Sequence, residues 1–580
     1  MKPLTHPSQL AGWKARLLEE RPAWRKTIVV SNGTCGRASG SLGIIEAFGR
    51  ELDRRGLKET VGLEITGCHG FCELEPNVVI LPEGIYYGRL KPEDVPAIIE
   101  KTILKDKVVE TLAYADPKTG RRYVLRKDIP FFRKQMRLLT EDNLRIDPDR
   151  IEDYILADGY QALAKVLFDM TAEEVIREVD LAGLRGRGGA GFPTGKKWQF
   201  CRNESADRRY IICNADEGNP GTYMDRSILA ANPHSVIEGM VIGAYAMGAA
   251  EGYVYVRMEA PQAVRQITLA RDQARQHGFL GKSILGSEFH FDIHIVEGAG
   301  AFVCGEETSL MSSIEGRRAV SRQRPPFPAQ AGLWGKPTNI NNVETWANVP
   351  LIIKRGAEWY SQIGTPRSKG TKIFSLVGKI RHGGQVEVPM GITLREVIYD
   401  IGGGIKDGQK FKAVQTGGPA GGFLPAEFLD LAIDYDNLVQ AGSTMGSGGM
   451  IVLDETTCMV DMARHYMHFT QEESCGKCVP CRVGTKQMHD ILVGITRGEG
   501  KEEDLARLEE LGDSIRVASL CGLGQGAPNP VLSTLRHFRQ EYVEHIQHKR
   551  CAAGVCKDLA PSSGEEAGPA GRRVKKNRHD

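Results

Sequence analysis

A chain of 580 residues, 41% hydrophobic and 26% charged, is long enough for about three or four domains with cores of their own. A formal net charge of +2 argues against a protein that binds nucleic acid or anionic membranes through its overall charge, and the basic run RRVKKNR near the C-terminus reads as a solvated tail. No stretch reaches the roughly 18 uninterrupted apolar residues that cross a bilayer. The nearest, SVIEGMVIGAYAMGAA, carries Glu238 and is expected to be a buried helix. The N-terminus, MKPLTHPSQLAGWKARLLEERPAW, lacks an apolar signal region and a cleavage site, so the expected location is the cytoplasm, with any membrane link made through partners. Thirteen cysteines in a reducing compartment are more often metal ligands or catalytic thiols than disulfides, so their spacing decides.

In chain order, a strand-like TIVVSNGTCG leads into a helix, SLGIIEAFGRELDRRG, and then into GCHGFCE and NVVILPEGIYYGRL, a small α/β pattern over 25–105. Residues 106–150 read as a connector, with a hairpin in VETLAYADPKTGRRYVL and a helix in IPFFRKQMRLL. From 151 to 360, strands such as RRYIICN and GYVYVRM alternate with helices such as PHSVIEGMVIGAYAMG and PQAVRQITLARDQARQHG, the pattern of a large α/β domain. Residues 361–452 mix short strands, one helix and many glycines, as in a small α+β roll. Residues 453–548 are helical, and 549–580 form a tail whose last part is disordered by composition.

In the helical region Cys475, Cys478 and Cys481 form CxxCxxC, and Cys521 lies downstream between two helical stretches. Ligands three residues apart let one loop wrap a corner of a cubane, and a distant fourth cysteine closes it, as in a 4Fe–4S cluster. A structural zinc site is the competing reading, but such sites usually pair CxxC units two by two. A cluster that takes up one electron at a time calls for a cofactor that converts two-electron chemistry into single steps, and flavin is the usual one.

Residues 183–200, GLRGRGGAGFPTGKKWQF, hold too many glycines for a regular helix or strand. Such a loop brings backbone N–H groups close to a phosphate, with Arg187, Lys196 or Lys197 to balance its charge, although a merely flexible loop has the same composition. The same region holds CNADEGNPGTYMDR, GAGAFVCGEETSL and RPPFPAQAGLWGKPTNINNVET, all poor core material. Adjacent acids, Asp216 with Glu217 and Glu306 with Glu307, repel one another and call for a purpose. Carboxylates suit ribose hydroxyls, and asparagines suit a flavin's edge and ribityl chain.

These four stretches, followed by ESCGKCVPCR, resemble in the same order the NADH-binding flavoprotein subunit of respiratory complex I over about residues 150–545. The same subunit recurs in NAD-linked hydrogenases, formate dehydrogenases and electron-bifurcating complexes. The resemblance implies a multidomain α/β protein: a thioredoxin-like domain at 25–105, a Rossmann-like FMN and NADH domain at 151–360, a ubiquitin-like α+β domain of the soluble ligand-binding type at 361–452 and a helical 4Fe–4S domain at 453–548. It implies non-covalent FMN held by Gly186, Arg187, Gly188, Gly189, Lys197, Asn214, Asp216, Glu217, Asn341 and Asn342. NADH would stack on Phe192, Phe200 and Phe327, with Glu307 on the adenosine ribose, and Gly305, Glu306 and Arg324, the last at a position where the family often has lysine, complete the implied cofactor-binding residues. The hydride chemistry then belongs to the cofactors, and no protein acid or base is required. One departure is Asn219 in DEGNPG, where many relatives have an acid beside the nicotinamide; it bears on NADH against NADPH, and NADH is the expected reductant.

At the N-terminus, SNGTCGRASGS and GCHGFCELEP resemble the thioredoxin-like 2Fe–2S domain that fused relatives carry, whose pattern is CxxxxC then CxxxC. Cys68 and Cys72 supply the second pair, but Cys35 alone stands at the first, flanked by Ser31 and Gly36. Three readings follow: a 2Fe–2S cluster with Ser31 or His69 as fourth ligand, a cluster completed by other means, or a domain without one. In the tail, EHIQHKRCAAGVC resembles the hinge of hydrogenase-type relatives, and Cys458, His545, Cys551 and Cys556 make a candidate zinc set. The remaining Cys201, Cys213 and Cys304 are expected in the core or a cofactor wall.

The expected function is therefore that of a diaphorase component: hydride exchange between NADH and FMN, then single-electron transfer through the 4Fe–4S cluster to partner subunits. The expected partners are a thioredoxin-like 2Fe–2S protein and a hydrogenase, formate dehydrogenase, bifurcating reductase or quinone reductase module, with no nucleic acid and no membrane span of its own. The alternative is a structural or nucleotide-sensing component that has lost NADH oxidation.

Overall fold

A computed structural model of the chain describes residues 3–561. The expectation of a disordered end falls mostly on 562–580, outside the described residues. Near the N-terminus, strand β1 (Lys26–Ser31), the short helix α1 (Thr34–Ala38), helix α2 (Ser41–Arg54), and strands β2 (Val61–Thr66), β3 (Val78–Leu81) and β4 (Ile85–Tyr87) build one layer. The sheet order is β2-β1-β3-β4, with β1 and β2 parallel and the other neighbours antiparallel. Alternate residues of β1 drive this: Ile28 and Val30 face α2 through Ile44, Phe48 and Leu52.

In the connector, Tyr114–Ala115 pairs antiparallel with Arg122–Tyr123, the expected hairpin. The helix expected in IPFFRKQMRLL shrinks to one turn, Pro130–Arg133. Phe131 and Phe132 anchor that turn in a core shared with the later α+β unit. The chain then runs extended so that Met136 N–H reaches Glu387 O at 3.0 Å and Leu139 N–H reaches the Glu387 carboxylate at 3.1 Å. Tertiary hydrogen bonds have replaced helical ones.

The next layer is a parallel four-stranded sheet. Helix α3 (Thr194–Asn203) precedes β5 (Tyr210–Ala215); α4 (Met224–Ala231) and α5 (Pro233–Met247) lead to β6 (Glu251–Arg257); and α6 (Pro261–His277) leads to β7 (Asp292–Gly298). Then come α7 (Glu307–Ile314), β8 (Thr338–Asn342) and α8 (Val343–Arg355). The order is β8-β5-β6-β7, all parallel, in register Asn341 with Cys213 and Asn342 with Asn214. Helix α5 is buried on nearly every face, as its unbroken apolar run requires. Gly239 lets it lie against α8: a Cβ there would stand 2.0 Å from Trp346 O. Its one acid, Glu238, is satisfied by the Tyr154 hydroxyl at 2.5 Å and by the N–H groups of Tyr160 and Leu163 at 2.9 and 3.0 Å. Among the described residues no helix is long and apolar enough to cross a membrane.

Strands β9 (Thr371–Gly378), β10 (Gly384–Pro389), β11 (Phe411–Thr416), β12 (Phe423–Pro425) and β13 (Gly449–Asp454) form a mixed sheet in the order β10-β9-β13-β11-β12. Helices α9 (Met459–Glu472), α10 (Thr485–Thr496), α11 (Glu503–Ala518), α12 (Asn529–His537) and α13 (Arg539–Gln547) follow around a core of Val460, Met467, Met488, Leu492, Leu508 and Val531.

Candidate functional site

The parallel sheet changes direction between β5 and β8, because the chain runs β5, β6, β7 outward on one side and returns to place β8 on the other. Open parallel sheets bind ligands outside the carboxyl ends of the strands at such a point. The residues there are Asn214 and Ala215 at the end of β5 and Asn341 and Asn342 at the end of β8. The glycine loop lies over this edge: an added Cβ on Gly188 would stand 3.1 Å from Asn342 Cβ. Gly189, at φ +133, passes so close to Gly446 that a Cβ would lie 3.3 Å from its Cα. Gly186 O accepts the Tyr435 hydroxyl at 2.8 Å. The α+β unit therefore closes one side of the cradle, a contribution that no single motif announced; the glycine run at 446–449 was its only trace.

Arg187 departs from expectation. Its side chain is fully buried and donates to the carbonyls of Arg185 at 2.7 Å, Lys369 at 2.6 Å and Thr371 at 3.0 Å, and to the Tyr360 hydroxyl at 3.1 Å. With its donors bound to the protein, it ties the loop to the α+β unit and leaves a phosphate to the loop backbone. Lys197 Nζ donates to Ile340 O at 2.7 Å and lies 3.6 Å from Glu307.

The two adjacent acid pairs divide in the same way. Glu217 accepts the N–H groups of Asp225 and Arg226 at 3.0 and 3.2 Å, at the start of α4. Glu306 accepts those of Thr308 and Ser309, both at 3.0 Å, at the start of α7. Each caps a helix, so the expectation that both face a cofactor is corrected for these two. Their neighbours are the ones left for ligands. Glu307 meets Arg324 at 2.7 Å. The Asp216 side chain is wholly shielded from solvent, and neither carboxylate oxygen has a hydrogen-bond partner. Its nearest cation, Arg257, is 3.8 Å away. Burial pushes this carboxyl up to about 7. A buried carboxylate with no donor is costly, and hydroxyls of a ribityl chain are donors of the right kind.

Asn214 Nδ2 donates to Gly305 O at 2.9 Å and its Oδ1 accepts Asp216 N–H at 3.0 Å, which fixes the acid's position. Asn341 Oδ1 accepts Trp198 Nε1–H at 3.2 Å. Asn342 caps α8 through Glu344 N–H at 2.9 Å and bonds Asp225 at 2.5 Å. Both asparagine side chains are thus tied to the scaffold. Phe192, Phe200 and Phe327 are each about half exposed, and the first two rings lie 6.4 Å apart. The turn Pro328–Ala331 packs on α3, which brings Phe327 toward the same mouth. Asn219 Nδ2 donates to Ser447 Oγ at 3.0 Å.

Cys475, Cys478, Cys481 and Cys521 line one small, mainly apolar cavity, completed by Val303, Ser321, Ser474, Lys477, Leu520 and Leu523. Four thiols around one space are a donor set that fits a 4Fe–4S cluster. The Ser474 hydroxyl lies 3.2 Å from Cys481 Sγ. This loop is fastened to the flavin side: Glu473 accepts Phe302 N–H at 2.8 Å, Arg318 donates to Cys475 O at 3.2 Å, and Lys477 donates to Ser321 O at 2.6 Å. Val303, next to Phe302, lines the cavity itself.

Residues 179–351 match the family described as the Nuo51 FMN-binding domain, and 461–545 match the NADH-ubiquinone oxidoreductase-F iron-sulfur binding region. The chain is 56% identical over 427 residues to the NADP-reducing hydrogenase subunit HndC of Solidesulfovibrio fructosivorans, covering 74% of this chain and 87% of the relative. The chain belongs to this family of flavoprotein subunits. It is 47% identical to an NADH-quinone oxidoreductase subunit of Rhizobium meliloti (strain 1021), covering 70% and 96% of the two chains. Its fold is similar to a chain of the NAD+-reducing [NiFe]-hydrogenase in the H2-reduced state, with a TM-score of 0.64, 29% identity and coverage of 93% and 88%. As a member of this flavoprotein family, the chain is an oxidoreductase component that takes FMN, NAD(H) and a 4Fe–4S cluster and passes electrons to partner subunits.

Two cysteine sites lie outside that core. Cys458, His545, Cys551 and Cys556 are all buried, with their donor atoms within 4.8 Å of one another. His545 Nε2 is 3.4 Å from both Cys458 Sγ and Cys556 Sγ, and its Nδ1 lies 2.7 Å from Glu541 O, which orients the ring. At the N-terminus neither expected fourth ligand is free. The Ser31 hydroxyl donates to Glu75 at 2.5 Å, and His69 uses both ring nitrogens, toward Thr66 at 2.9 Å and Asn77 at 2.8 Å. Cys201 and Cys213 are fully buried in the main core, and Cys304 lies in the adjoining cluster with Tyr255.

Proposed function

We propose that FMN lies at the carboxyl ends of β5 and β8, its phosphate against the backbone of Gly186, Gly188 and Gly189 and its hydroxyl-bearing chain against Asp216 and Asn214. The observation that carries this reading is the Asp216 carboxylate, buried without a partner at the sheet's switch point. Phe192, Phe200 and Phe327 form a surface on which the rings of NADH stack, and Glu307, held by Arg324, accepts ribose hydroxyls. When bound, FMN supplies the conversion of hydride chemistry into single-electron steps. The chain's own work is positional. The glycine loop and Gly446 admit the cofactor at backbone distance, the aromatic rings exclude water, and the Glu473 and Lys477 bonds hold the Cys475–Cys481 loop against the flavin side.

We divide the chain into a thioredoxin-like domain at 25–105, a connector at 106–150, the flavin and NADH domain at 151–360, a ubiquitin-like α+β domain at 361–452, the helical 4Fe–4S domain at 453–548 and the tail at 549–580. The Cys458, His545, Cys551 and Cys556 set suits zinc, being three thiolates and one oriented imidazole. A thioredoxin-like 2Fe–2S protein and a hydrogenase or quinone-reductase module, by analogy with the assemblies named for the relatives, are the proposed partners in the cytoplasm.

Anaerobic titration of the purified chain with NADH tests the reading. Flavin bleaching followed by an EPR signal of a reduced 4Fe–4S cluster is the expected result. Flavin that stays oxidised with NADH and NADPH alike refutes it.

A further inference from the structure

The loop from Gly67 to Glu75 is a built site that neither the flavin nor the 4Fe–4S centre uses. Its Cys68 O accepts Asn143 Nδ2 at 2.9 Å, His69 O accepts Arg137 Nη2 at 2.8 Å, and Gly70 O accepts Gln385 N–H at 2.7 Å. The Tyr223 hydroxyl stands 3.9 Å from Cys72 Sγ. Groups from the connector, from β10 and from the flavin-side loop thus fix a stretch that carries two thiols. The third comes from α1, whose Cys35 thiol stands close enough to Cys72 for each to influence the other.

Positions 31 and 36, five apart, are those at which CxxxxC would place cysteines, and they hold Ser31 and Gly36. Glu75 occupies the space between them. Its Oε1 accepts the Ser31 hydroxyl at 2.5 Å, and its Oε2 lies 3.1 Å from where a Cβ on Gly36 would stand. The residue is 7% exposed. Its other donor is Asn77 N–H at 3.2 Å, and among the described residues no ion pair to Glu75 is found. A carboxylate buried in the neighbourhood of the Cys68 and Cys35 thiols calls for positive charge. Ferric iron accepts both thiolate and oxygen or nitrogen ligands in two-iron clusters.

We propose that Cys35, Cys68, Cys72 and Glu75 hold a 2Fe–2S cluster, with the Glu75 carboxylate in the place of the fourth cysteine. The inference is independent of where FMN and NADH bind. Iron and acid-labile sulfide in the full chain, purified anaerobically, with EPR of the dithionite-reduced protein, provide the test. The expected content is about six irons per chain, four in the cubane and two here. Glu75→Ala is expected to lose two irons and the two-iron signal while keeping FMN and the 4Fe–4S signal, which report a folded chain. Glu75→Cys should keep six irons with a shifted two-iron spectrum, and Ser31→Ala should keep the cluster. About four irons in the unmodified chain overturns the site altogether. A two-iron signal that survives unchanged in both Glu75→Ala and Glu75→Cys leaves a cluster in place but overturns Glu75 as its ligand, as does loss of the signal in Ser31→Ala alone.

Discussion

Asp216→Asn separates what the site does to the fold from what it does for the cofactor. In the FMN-free chain the folded carboxyl titrates at about 7 against an ordinary 3.8, raised first by burial. At about 1.4 kcal/mol per decade of proton affinity, that difference corresponds to about 4 kcal/mol. Below pH 3.8 both folded and unfolded states hold the proton. Between 3.8 and 7 the unfolded chain releases it first, so stability falls as pH rises, and above about 7 the loss is complete. The amide never ionises, so the FMN-free variant should be more stable than the unmodified protein at pH 8 and converge with it toward pH 4. For a domain of about 200 residues, at about 2–4 °C per kcal/mol, the gain is on the order of 10 °C in the transition of the flavin domain at pH 8. Scanning calorimetry across pH reads it. With FMN the sign reverses: losing hydrogen bonds from hydroxyls to a charged acceptor costs about 1.5–3 kcal/mol, a roughly 10- to 100-fold weaker Kd by flavin fluorescence. An FMN-free variant no more stable at pH 8, or one that binds FMN as tightly, would refute the reasoning.

Cys478→Ser is expected to lose about four irons per chain and the 4Fe–4S signal; unchanged NADH–dye reduction together with unchanged iron would remove that cysteine from the cluster. Phe200, about half exposed at the mouth, should contribute stacking of about 1–1.5 kcal/mol, so Phe200→Ala should raise KM for NADH about tenfold while FMN content stays the same. His545→Ala should release one equivalent of zinc, measured by mass spectrometry of the metal content, and lower the melting temperature of the C-terminal helices; equal zinc in both proteins argues against the quartet.

The sequence by itself determined the chemistry, because metal and flavin chemistry depends on residue types whose spacing is local. CxxCxxC with a later Cys521 favours a cubane over a zinc site, and the glycine loop with its companion stretches points to a flavoprotein through a family resemblance. Helix α5 was equally plain, since an unbroken apolar run has few places to go. Tertiary structure decided which of the named residues are free to act. Asp216 and Glu217 are equivalent as a pair of letters, yet Glu217 is taken by the start of α4 and Asp216 is left without a donor; of Glu306 and Glu307, the first is taken by the start of α7 and the second by Arg324. Arg187 stands in the phosphate loop but gives its donors to carbonyls of a unit that begins almost two hundred residues later. The helix expected after Ile129 gave way to bonds with Glu387, and the hinge cysteines gather only because α9 and α13 pack together. Hydrogen-bond partners and burial are set by contacts distant in sequence, and such contacts leave no periodic or local trace for a sequence reading to find.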